Sequence, residues 1–522
     1  MGSTGLFIFR FIKLSSYSLF IFLPLCGWSQ IELPLLFSDH LVLQRELPIP
    51  VWGTATSDAL VEVRINQNKI NTKADYFGNW KATLPSMKAG GPYELIIESE
   101  GEIVRFIDIY IGEVWLCSGQ SNMEWALKDC AKGAQEISNA NNPLIRFFHL
   151  KKKHNMYTAP FTEDQLVSFT KGDFFYRPKW EICTPESAAA FSGVGYFFGK
   201  TLYDSLKVPI GLIQNAVGGS PAQSWISKAA LASHPQLHNL GNPPSGKTWL
   251  DSKIIHPWLA VRAKQNWVNW AKKDGTALPG HPFAPAYLFD FAIKPLAPYA
   301  IRGAIWYQGE SNATHPESYP AMMEMMLQDW RAIWEQGDFP FYFVQLPKIG
   351  NRSRWAEFRE AQQQGLSIEN TGMVVAIDGG HPTDVHPREK AVIGNRLCHL
   401  ALANTYGKNI PAESPMLATF NWLEVENKLE LWFDQIYDGL AIKNGKLAKG
   451  FYLQGYLNQG NMEAIIPPEK IDIQKNKITL YYPVGFLPVK VKYAWAPAPE
   501  NNIINSAGLP LAPFKIELEG NN

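Results

Sequence analysis

The sequence contains little cysteine and carries no net charge, and each of these two features argues against a class of protein. The four cysteines after residue 30, Cys117, Cys130, Cys183 and Cys398, are too few and too irregularly spaced for a disulfide framework or a zinc site. One bridge stays open as an alternative to buried free thiols. The 48 basic and 48 acidic residues cancel, which argues against nucleic acid or an anionic membrane surface as partner and suits a neutral substrate.

Long apolar runs are also absent after the first thirty residues, so we expect no membrane span in the mature chain. Within residues 1–30, Arg10 and Lys13 precede an apolar run that ends in small and polar residues. This pattern predicts a secretory signal peptide, and hence a secreted or periplasmic protein. A permanent N-terminal anchor is one alternative. Lipid modification of Cys26 is another, ranked lower because Leu25 rather than a small residue precedes it.

The length of 522 residues predicts two to four domains, and 46% hydrophobic with 18% charged residues is typical of a soluble globular protein. Short apolar runs between turn signals predict β domains over residues 31–106 and 411–522. Between them, strands alternate with helices, including one over about 318–336. This alternation predicts an α/β domain over 107–410 with a parallel sheet. A looser stretch around 226–295 is interpreted as an insertion or cap.

Polar clusters follow apolar strands at four places in this α/β domain. They are "GQSNMEW" (119–125), "GGSPAQSW" (218–225), "YQGESNA" (307–313) and "DGGHPTDVHPREK" (378–390). Because the carboxyl ends of parallel strands meet at one edge of a sheet, we expect these clusters to lie together. The sequence therefore predicts a single site at that edge.

The clusters contain the residue types of a serine esterase. Ser121 is the candidate nucleophile, His386 is its candidate base, and Asp384 would fix the imidazole tautomer and stabilise its positive charge. This combination predicts acyl transfer. The chemistry requires neither a cofactor nor a metal.

A tetrahedral oxyanion needs preorganised hydrogen-bond donors. The backbone N–H groups of Ser121 and Gly219 are candidates, together with the side-chain amide of Gln308 or Asn312. Glycine at 218 and 219 would let the backbone approach the substrate closely.

Each of these residues also has a purely structural explanation. Ser121 or a neighbour could cap the following helix. Gly218 and Gly219 could form an ordinary turn, and His386 could be a surface histidine. Asp384 could be a turn acid, and Glu310 a charge at a helix start. The site hypothesis depends on the four clusters occurring together.

Taken together, the four motifs resemble the sialate O-acetylesterase family, which belongs to the SGNH hydrolases. The segments "FSDHLVLQRELPIPVWGTA" (37–55) and "YAWAPAPENNIINSAGLPLAPFKIEL" (493–518) extend the resemblance across nearly the whole mature chain. The resemblance implies a three-layer α/β hydrolase core with flanking β domains. It also implies removal of acetyl groups from sugar hydroxyls, most specifically as a sialate 9-O-acetylesterase acting on an acetylated sugar or glycan.

Carried over by motif, the nucleophile is Ser121, the base is His386, and the oxyanion donors include Ser121 and Gly219. The chain departs from the wider superfamily in two places. The superfamily's oxyanion asparagine lies in a Gly-x-Asn-Asp motif, whereas this chain has "QGESN", so Gln308 is the favoured replacement and Asn312 the second choice.

The second departure concerns the triad aspartate. The superfamily commonly places it three residues before the histidine, where this chain has Thr383. Asp384, two residues before His386, is therefore the candidate and Asp378 the reserve. A Ser-His dyad oriented by a backbone carbonyl stays open.

Four other functions are compatible with parts of the pattern. The same chemistry could serve an acetyl xylan or other polysaccharide esterase, or the chain could be a non-catalytic carbohydrate-binding protein. Glu310 with Glu113 or Asp378 could form a glycosidase pair. His381, Asp384 and His386 could bind a metal, although no further ligands follow at motif spacing.

Three tryptophans lie close to the motifs. Trp115, Trp125 and Trp225 could stack on a sugar ring or belong to the core.

Overall fold

The computed structural model describes residues 31–270, 278–457 and 462–518. The predicted signal peptide of residues 1–30, including Cys26, lies outside this range. Within it, Cys117, Cys130, Cys183 and Cys398 are buried and unbridged. No helix in the described part of the chain is long and apolar enough to cross a membrane.

An N-terminal β region continues directly into the central sheet. Its first six strands are β1 (Val42–Gln44), β2 (Ile49–Thr54), β3 (Leu60–Ile65), β4 (Asn68–Lys73), β5 (Asn79–Leu84) and β6 (Gly90–Ser99). The long strand β7 (Glu102–Gly119) pairs antiparallel with β6 and then parallel with central strands. Exposed and half-buried residues alternate through most of its first half, whereas its second half is buried throughout. This change in pattern is expected where a strand passes from a sheet covered on one face into a sheet covered on both faces. Strand β7 continues without a break across residues 106 and 107, where the sequence predicted a domain boundary.

The central sheet contains β7 and six further strands. They are β8 (Asn142–His149), β9 (Trp180–Cys183), β10 (Ile210–Ala216), β11 (Gly303–Tyr307), β12 (Phe341–Gln345) and β13 (Thr371–Val375). Their order is β13-β12-β11-β7-β10-β8-β9, and the neighbours are parallel except β8 and β9. Every residue of β10, β11 and β12 is buried. The predicted α/β class with a mostly parallel sheet is confirmed.

Helices connect and cover these strands. They are α1 (Ser121–Glu124), α2 (Gly133–Ser138), α3 (Glu163–Thr170), α4 (Pro185–Ala190), α5 (Gly193–Leu206), α6 (Lys228–Ser233), α7 (His238–Gly241), α8 (Pro257–Asn266), α9 (Tyr319–Trp334), α10 (Trp355–Gln363) and α11 (Lys390–Leu400). The helix predicted at about 318–336 corresponds to α9. Helices α6, α7 and α8 fall within the stretch interpreted as an insertion.

Short helical turns complete the connections. The 3-10 turns are Leu127–Asp129, Ala222–Trp225, Trp249–Asp251, Lys294–Leu296, Pro316–Ser318, Gln364–Ser367 and Glu424–Glu426. Two further segments, Phe289–Ile293 and Ala401–Thr405, are short π-helices.

The C-terminal part of the chain is built from antiparallel strands. They are β14 (Met416–Leu423), β15 (Lys428–Asp434), β16 (Leu440–Ile442), β17 (Phe451–Leu457), β18 (Met462–Ile466), β19 (Lys470–Gln474), β20 (Lys477–Tyr481), β21 (Phe486–Tyr493), β22 (Ile503–Asn505) and β23 (Phe514–Glu517). They form two four-stranded sheets, β14-β15-β20-β19 and β18-β17-β21-β23, and the pair β16-β22.

One buried carboxylate joins the N-terminal strands to the central sheet. Glu113 on β7 is fully buried and accepts hydrogen bonds from Arg45, which directly follows β1, and from Arg302 Nε at 2.9 Å, just before β11. The hydroxyl of Tyr406 also donates to Glu113, at 2.9 Å. A buried charge is tolerated only when it is paired and hydrogen-bonded. The two guanidinium groups therefore hold three chain segments at one end of the sheet.

Candidate active site

Three neighbouring strands end at the same level of the sheet. In the register of the sheet, Ala216 at the end of β10 and Tyr307 at the end of β11 both pair with Gly119, the last residue of β7. The polar clusters that follow these strands therefore meet at the carboxyl edge, where parallel α/β sheets bind their ligands.

The turn after β7 requires glycine. Gly119 has φ +139°, and a Cβ built there would lie 2.3 Å from the carbonyl oxygen of Tyr307. The next residue, Gln120, donates its backbone N–H to that same carbonyl at 3.0 Å. Helix α1 then begins at Ser121 without any side-chain cap. The capping explanation for this serine therefore finds no support.

Ser121 and His386 line one cavity of about 640 Å³. Trp125, Glu124 and Tyr157 also line it. The indole of Trp125 stacks on the imidazole of His386, with the ring centroids 4.8 Å apart and an angle of 22°. The stacked indole limits rotation of the imidazole beside the serine.

Asp384 and Asp378 differ in their relation to His386. Asp384 Oδ1 accepts the backbone N–H of His386 at 2.8 Å and lies 3.5 Å from its Nδ1, within ion-pair distance. Asp378 instead forms a two-pronged ion pair with Arg396, at 2.8 and 2.7 Å. This geometry favours Asp384 over Asp378 as the partner of the imidazole, and its triad role stays a prediction.

The other imidazole nitrogen, Nε2 of His386, is buried and has no hydrogen-bond partner among the described residues. Catalytic hydrogen bonds are often loose without substrate and tighten when it binds. Burial and the nearby Lys390 cation lower the pKa of His386 below its ordinary 6.5, while Asp384 and Glu124 partly oppose this shift. The imidazole is therefore neutral at neutral pH, as a general base must be.

Asn122, the residue after the candidate nucleophile, is fully buried and contacts three other parts of the chain. Its Nδ2 donates to the carboxylate of Glu310 and, at 2.9 Å, to the carbonyl oxygen of Val385. Its Oδ1 accepts from the ammonium of Lys390. Asn122 thus links the end of β7 to the end of β11 and to the loop that carries His386.

The buried Lys390 and the half-buried Glu310, one of whose carboxylate oxygens is fully buried, lie on either side of this amide. Burial raises the pKa of Glu310, opposed by its bond to Asn122 and by Lys390. Burial lowers the pKa of Lys390 to about 8. Opposite charges close together compensate part of each other's burial. The pair is best explained as a support for Asn122.

The glycine turn after β10 is held against α1. Gly218 donates its backbone N–H to Glu124 Oε2 at 2.8 Å, and the same carboxylate pairs with Lys152. Gly219 has φ +79°, and a Cβ there would lie 2.8 Å from the ring of Trp258 and 3.0 Å from that of Phe283. Both its backbone conformation and its surroundings therefore require glycine.

The two candidate amide donors are engaged within the protein. Gln308 Nε2 donates to Ser220 O at 3.2 Å and to Asn312 Oδ1 at 2.8 Å. Asn312 Nδ2 donates to Gln223 Oε1 at 2.9 Å and contacts Met322 Sδ at 3.5 Å. An amide nitrogen carries two protons. The oxyanion role of Gln308 stays a prediction that requires one of these bonds to be released.

Of the three tryptophans near the motifs, Trp125 alone lines this cavity. Trp115 is fully buried, packs on Phe198 and donates to Tyr406. Trp225 is fully buried and packs on Trp306. Trp115 and Trp225 are core residues in this structure.

The glycosidase pairs are not supported by the geometry. Glu113 pairs in register with Ile210, the first residue of β10, whereas Glu310 follows the end of β11. Six strand residues separate the two levels, roughly 20 Å, which exceeds the separation that such a pair needs. Asp378, the other proposed partner, is committed to Arg396.

The metal alternative also lacks a donor set. Residues 31–270, 278–457 and 462–518 contain no group of three or more His, Cys, Asp or Glu side chains that could hold an ion. The ring of His381 instead accepts the backbone N–H of Asp384 at 3.1 Å, within its own turn.

Sequence reasoning overlooked three residues of this site. Asn122 and Lys390 lie inside the motifs at 119–125 and 378–390. They are 268 residues apart in the sequence, and no local pattern indicates that their side chains form a hydrogen bond. Tyr157 lies in an irregular loop outside every motif.

The matched family model is described as "Carbohydrate esterase, sialic acid-specific acetylesterase" and covers residues 111–237 and 286–403. The sialate O-acetylesterase of Rattus norvegicus is 28% identical over 443 residues, which cover 76% of this chain and 78% of that protein. The sialate O-acetylesterase of Homo sapiens is 27% identical over 438 residues, with 76% of each chain covered.

A crystal structure is similar over nearly the full length. The carbohydrate acetylesterase of Xanthomonas citri superposes with a TM-score of 0.74 and 30% sequence identity, covering 94% of this chain and 100% of that one.

Replacing Asn122 by alanine tests the linkage between the strand ends. The variant leaves Glu310 and Lys390 buried without their common partner and frees Val385. We expect the free energy of unfolding to fall by about 1–3 kcal/mol and kcat/KM for a nitrophenyl acetate ester to fall about 100-fold, because small displacements of catalytic groups are that costly. Urea unfolding and steady-state kinetics measure the two effects. The exposed Asn139→Ala is the control, and activity within threefold of wild type in Asn122→Ala would contradict the linkage.

The pH dependence of kcat/KM tests the state of His386. Since its pKa is lowered from 6.5, activity should rise with pH through a midpoint below 6.5. Asp384→Asn removes a carboxylate that raises this pKa, so the midpoint should move lower still. The plateau should fall by only about 10-fold, because Asp384 is 52% exposed and screened by water.

Asp129→Asn is the matched control for this experiment. Asp129 lines the same cavity, and its carboxylate is not among the groups that shift the His386 pKa. A midpoint above 6.5 in the wild type, or equal shifts in both variants, would contradict the assignment.

Proposed function

The chain belongs to the sialic acid-specific acetylesterase family of carbohydrate esterases, and on that premise we propose that it hydrolyses O-acetyl esters of sugars through a serine acyl-enzyme. The observation that carries this proposal is the common cavity lined by Ser121 and His386. Membership in the family makes the protein a carboxylic ester hydrolase; the nucleophile, the base and the preferred sugar are our assignments.

In the proposed first step, Ser121 Oγ attacks the acetyl carbonyl carbon and His386 Nε2 takes the hydroxyl proton. The tetrahedral intermediate collapses as the same proton passes to the departing sugar oxygen, which leaves an acetyl ester on Ser121. In the second step His386 activates a water, acetate is released, and the proton returns to Ser121.

Asp384 is assigned to orient and stabilise the imidazole during both steps. Its 2.8 Å bond to the backbone of His386 and its 3.5 Å approach to Nδ1 support this role. The backbone N–H groups of Ser121 and Gly219 are the proposed oxyanion donors. Gln308 would join them only after giving up one of its internal bonds.

A three-layer SGNH-type core is the architecture we propose for the α/β part. The nucleophile turn directly after β7 and the glycine turn directly after β10 support it, because they flank one edge of a parallel sheet. A secreted or periplasmic location likewise remains a proposal, resting on the leader pattern of residues 1–30.

An acidic sugar is the proposed substrate, and sialate acetylated at the 9-hydroxyl is the specific candidate. The cavity edge carries Lys151, Lys152 and Lys153. Lys152 pairs with Glu124 and Lys153 with Asp173, whereas the exposed Lys151 has no ion-pair partner among the described residues. An unpaired ammonium on the wall of the cavity that Ser121 lines favours a carboxylate-bearing sugar over the neutral sugars of acetylated xylan.

Acetate release separates these substrates. We expect wild-type protein to hydrolyse 9-O-acetylated sialic acid with a kcat/KM at least about 10-fold above that for acetylated xylo-oligosaccharides. Ser121→Ala should lose activity on both while keeping the wild-type unfolding midpoint. Equal or greater activity on the xylo-oligosaccharide would favour the polysaccharide esterase. Glycan binding without ester hydrolysis would favour the non-catalytic alternative.

Lys151→Met provides the charge-specific arm of the experiment. Its kcat/KM should fall for the sialate and stay unchanged for the neutral ester, because only the sialate offers a carboxylate. The exposed Lys128→Met is its control. An equal fall on both substrates would remove the role of Lys151 in substrate choice.

A further inference from the structure

Tyr157 lies over the glycine turn of the site, although the reaction described above does not use it. A Cβ built on Gly219 would lie 3.2 Å from the Tyr157 hydroxyl oxygen. One built on Gly218 would lie 3.6 Å from that oxygen and 3.5 Å from Ser121 Cβ. The hydroxyl, the nucleophile and a proposed oxyanion donor therefore converge on the same two glycines.

The Tyr157 hydroxyl is available as a donor. No hydrogen bond to it is formed by the described residues, although its neighbours hold the ring in place. Arg262 lies over the ring at 5.8 Å and donates to the Tyr157 carbonyl oxygen at 3.1 Å. Trp258 packs beside the ring with its centroid 6.0 Å away. Tyr157 is 44% exposed, so these contacts orient its ring from one side only. An oriented donor is what oxyanion stabilisation requires.

The hydroxyl also keeps its proton under working conditions. Partial burial of the side chain, with the carboxylates of Glu124 and Glu310, raises the pKa of Tyr157 to about 12, against a smaller opposing effect of Arg262. A neutral phenol can donate one hydrogen bond.

Two side-chain amides at this edge, those of Gln308 and Asn122, are already committed. Both protons of the Gln308 amide go to Ser220 and Asn312, and the Asn122 amide goes to Glu310 and Val385. Neither of these two amides is therefore free to assist the backbone N–H groups of Ser121 and Gly219.

We propose that the Tyr157 hydroxyl donates the third hydrogen bond to the acetyl oxygen as that oxygen becomes the oxyanion, in place of the side-chain amide. The proposal rests on the proposed serine esterase function. No covalent bond to Tyr157 forms, and its proton stays on the phenol oxygen throughout. Tyr157 thereby acts on the transition state rather than on substrate binding.

Tyr157→Phe removes the hydroxyl and retains the ring. Loss of one oxyanion donor should lower kcat about 100-fold, with KM for the acetyl ester changed less than twofold. The exposed Tyr176→Phe is the matched control and should leave both constants unchanged. The unfolding midpoint and circular dichroism of Tyr157→Phe should equal those of the wild type.

Binding of a tetrahedral mimic gives a readout that does not depend on turnover. Methylboronic acid forms a negatively charged tetrahedral adduct with a serine hydroxyl, so its affinity should fall about 10-fold or more in Tyr157→Phe. Binding of free sialic acid, the deacetylated product, should stay the same. Isothermal titration calorimetry measures both ligands.

Two results would overturn the proposal. A raised KM with unchanged kcat would make Tyr157 a sugar-binding residue, and unchanged kcat, KM and boronate affinity would remove it from the reaction. Failure of the proposed function itself is distinguishable, since either the wild type would then release no acetate or Ser121→Ala would remain active, whatever Tyr157→Phe does.

Discussion

The side-chain amide of Asn122 is the contact on which the candidate site depends. It follows the nucleophile directly and reaches Glu310 after β11, Val385 in the histidine loop and Lys390 at the start of α11. These segments are distant in sequence, and no strand pairing connects the histidine loop to β7. One fully satisfied amide therefore fixes the position of the base relative to the nucleophile. Buried polar networks of this kind specify a single arrangement because every unsatisfied member is costly.

The same network also sets the electrostatics. Lys390 supports Asn122 and, as a nearby cation, helps to lower the pKa of His386. Glu310 balances part of that charge from the other side of the amide. Positional support for the base and part of the lowering of its pKa thus have a common source, while burial of the imidazole is the larger cause of that lowering. The Glu113 cluster plays a comparable structural role where β7 enters the central sheet, at the level of the first residue of β10 and away from the cavity.

Features local in sequence were predictable, and contacts between distant segments were not. Apolar runs ending in glycine and polar residues correctly indicated the strand ends that bring Ser121 and Gly219 to one edge. The orientation of the Gln308 side-chain amide is set by its hydrogen bonds to Ser220 and Asn312. The motif that contains Gln308 does not indicate the bond to Ser220. Tyr157 reaches the site from an irregular loop, where no periodicity marks a side chain. The continuity of β7 across residues 106 and 107 was missed because its exposed and buried halves differ in pattern.

Covalent trapping tests the central claim that Ser121 is a nucleophile activated by His386. A fluorophosphonate should give one adduct per chain, and mass spectrometry of the digested protein should locate it on Ser121. His386→Ala should lose most of this labelling while remaining folded. Without the imidazole as a base, the Ser121 hydroxyl is a weak nucleophile. Labelling of another residue, no labelling of the active wild type, or undiminished labelling of Ser121 in His386→Ala would contradict the account.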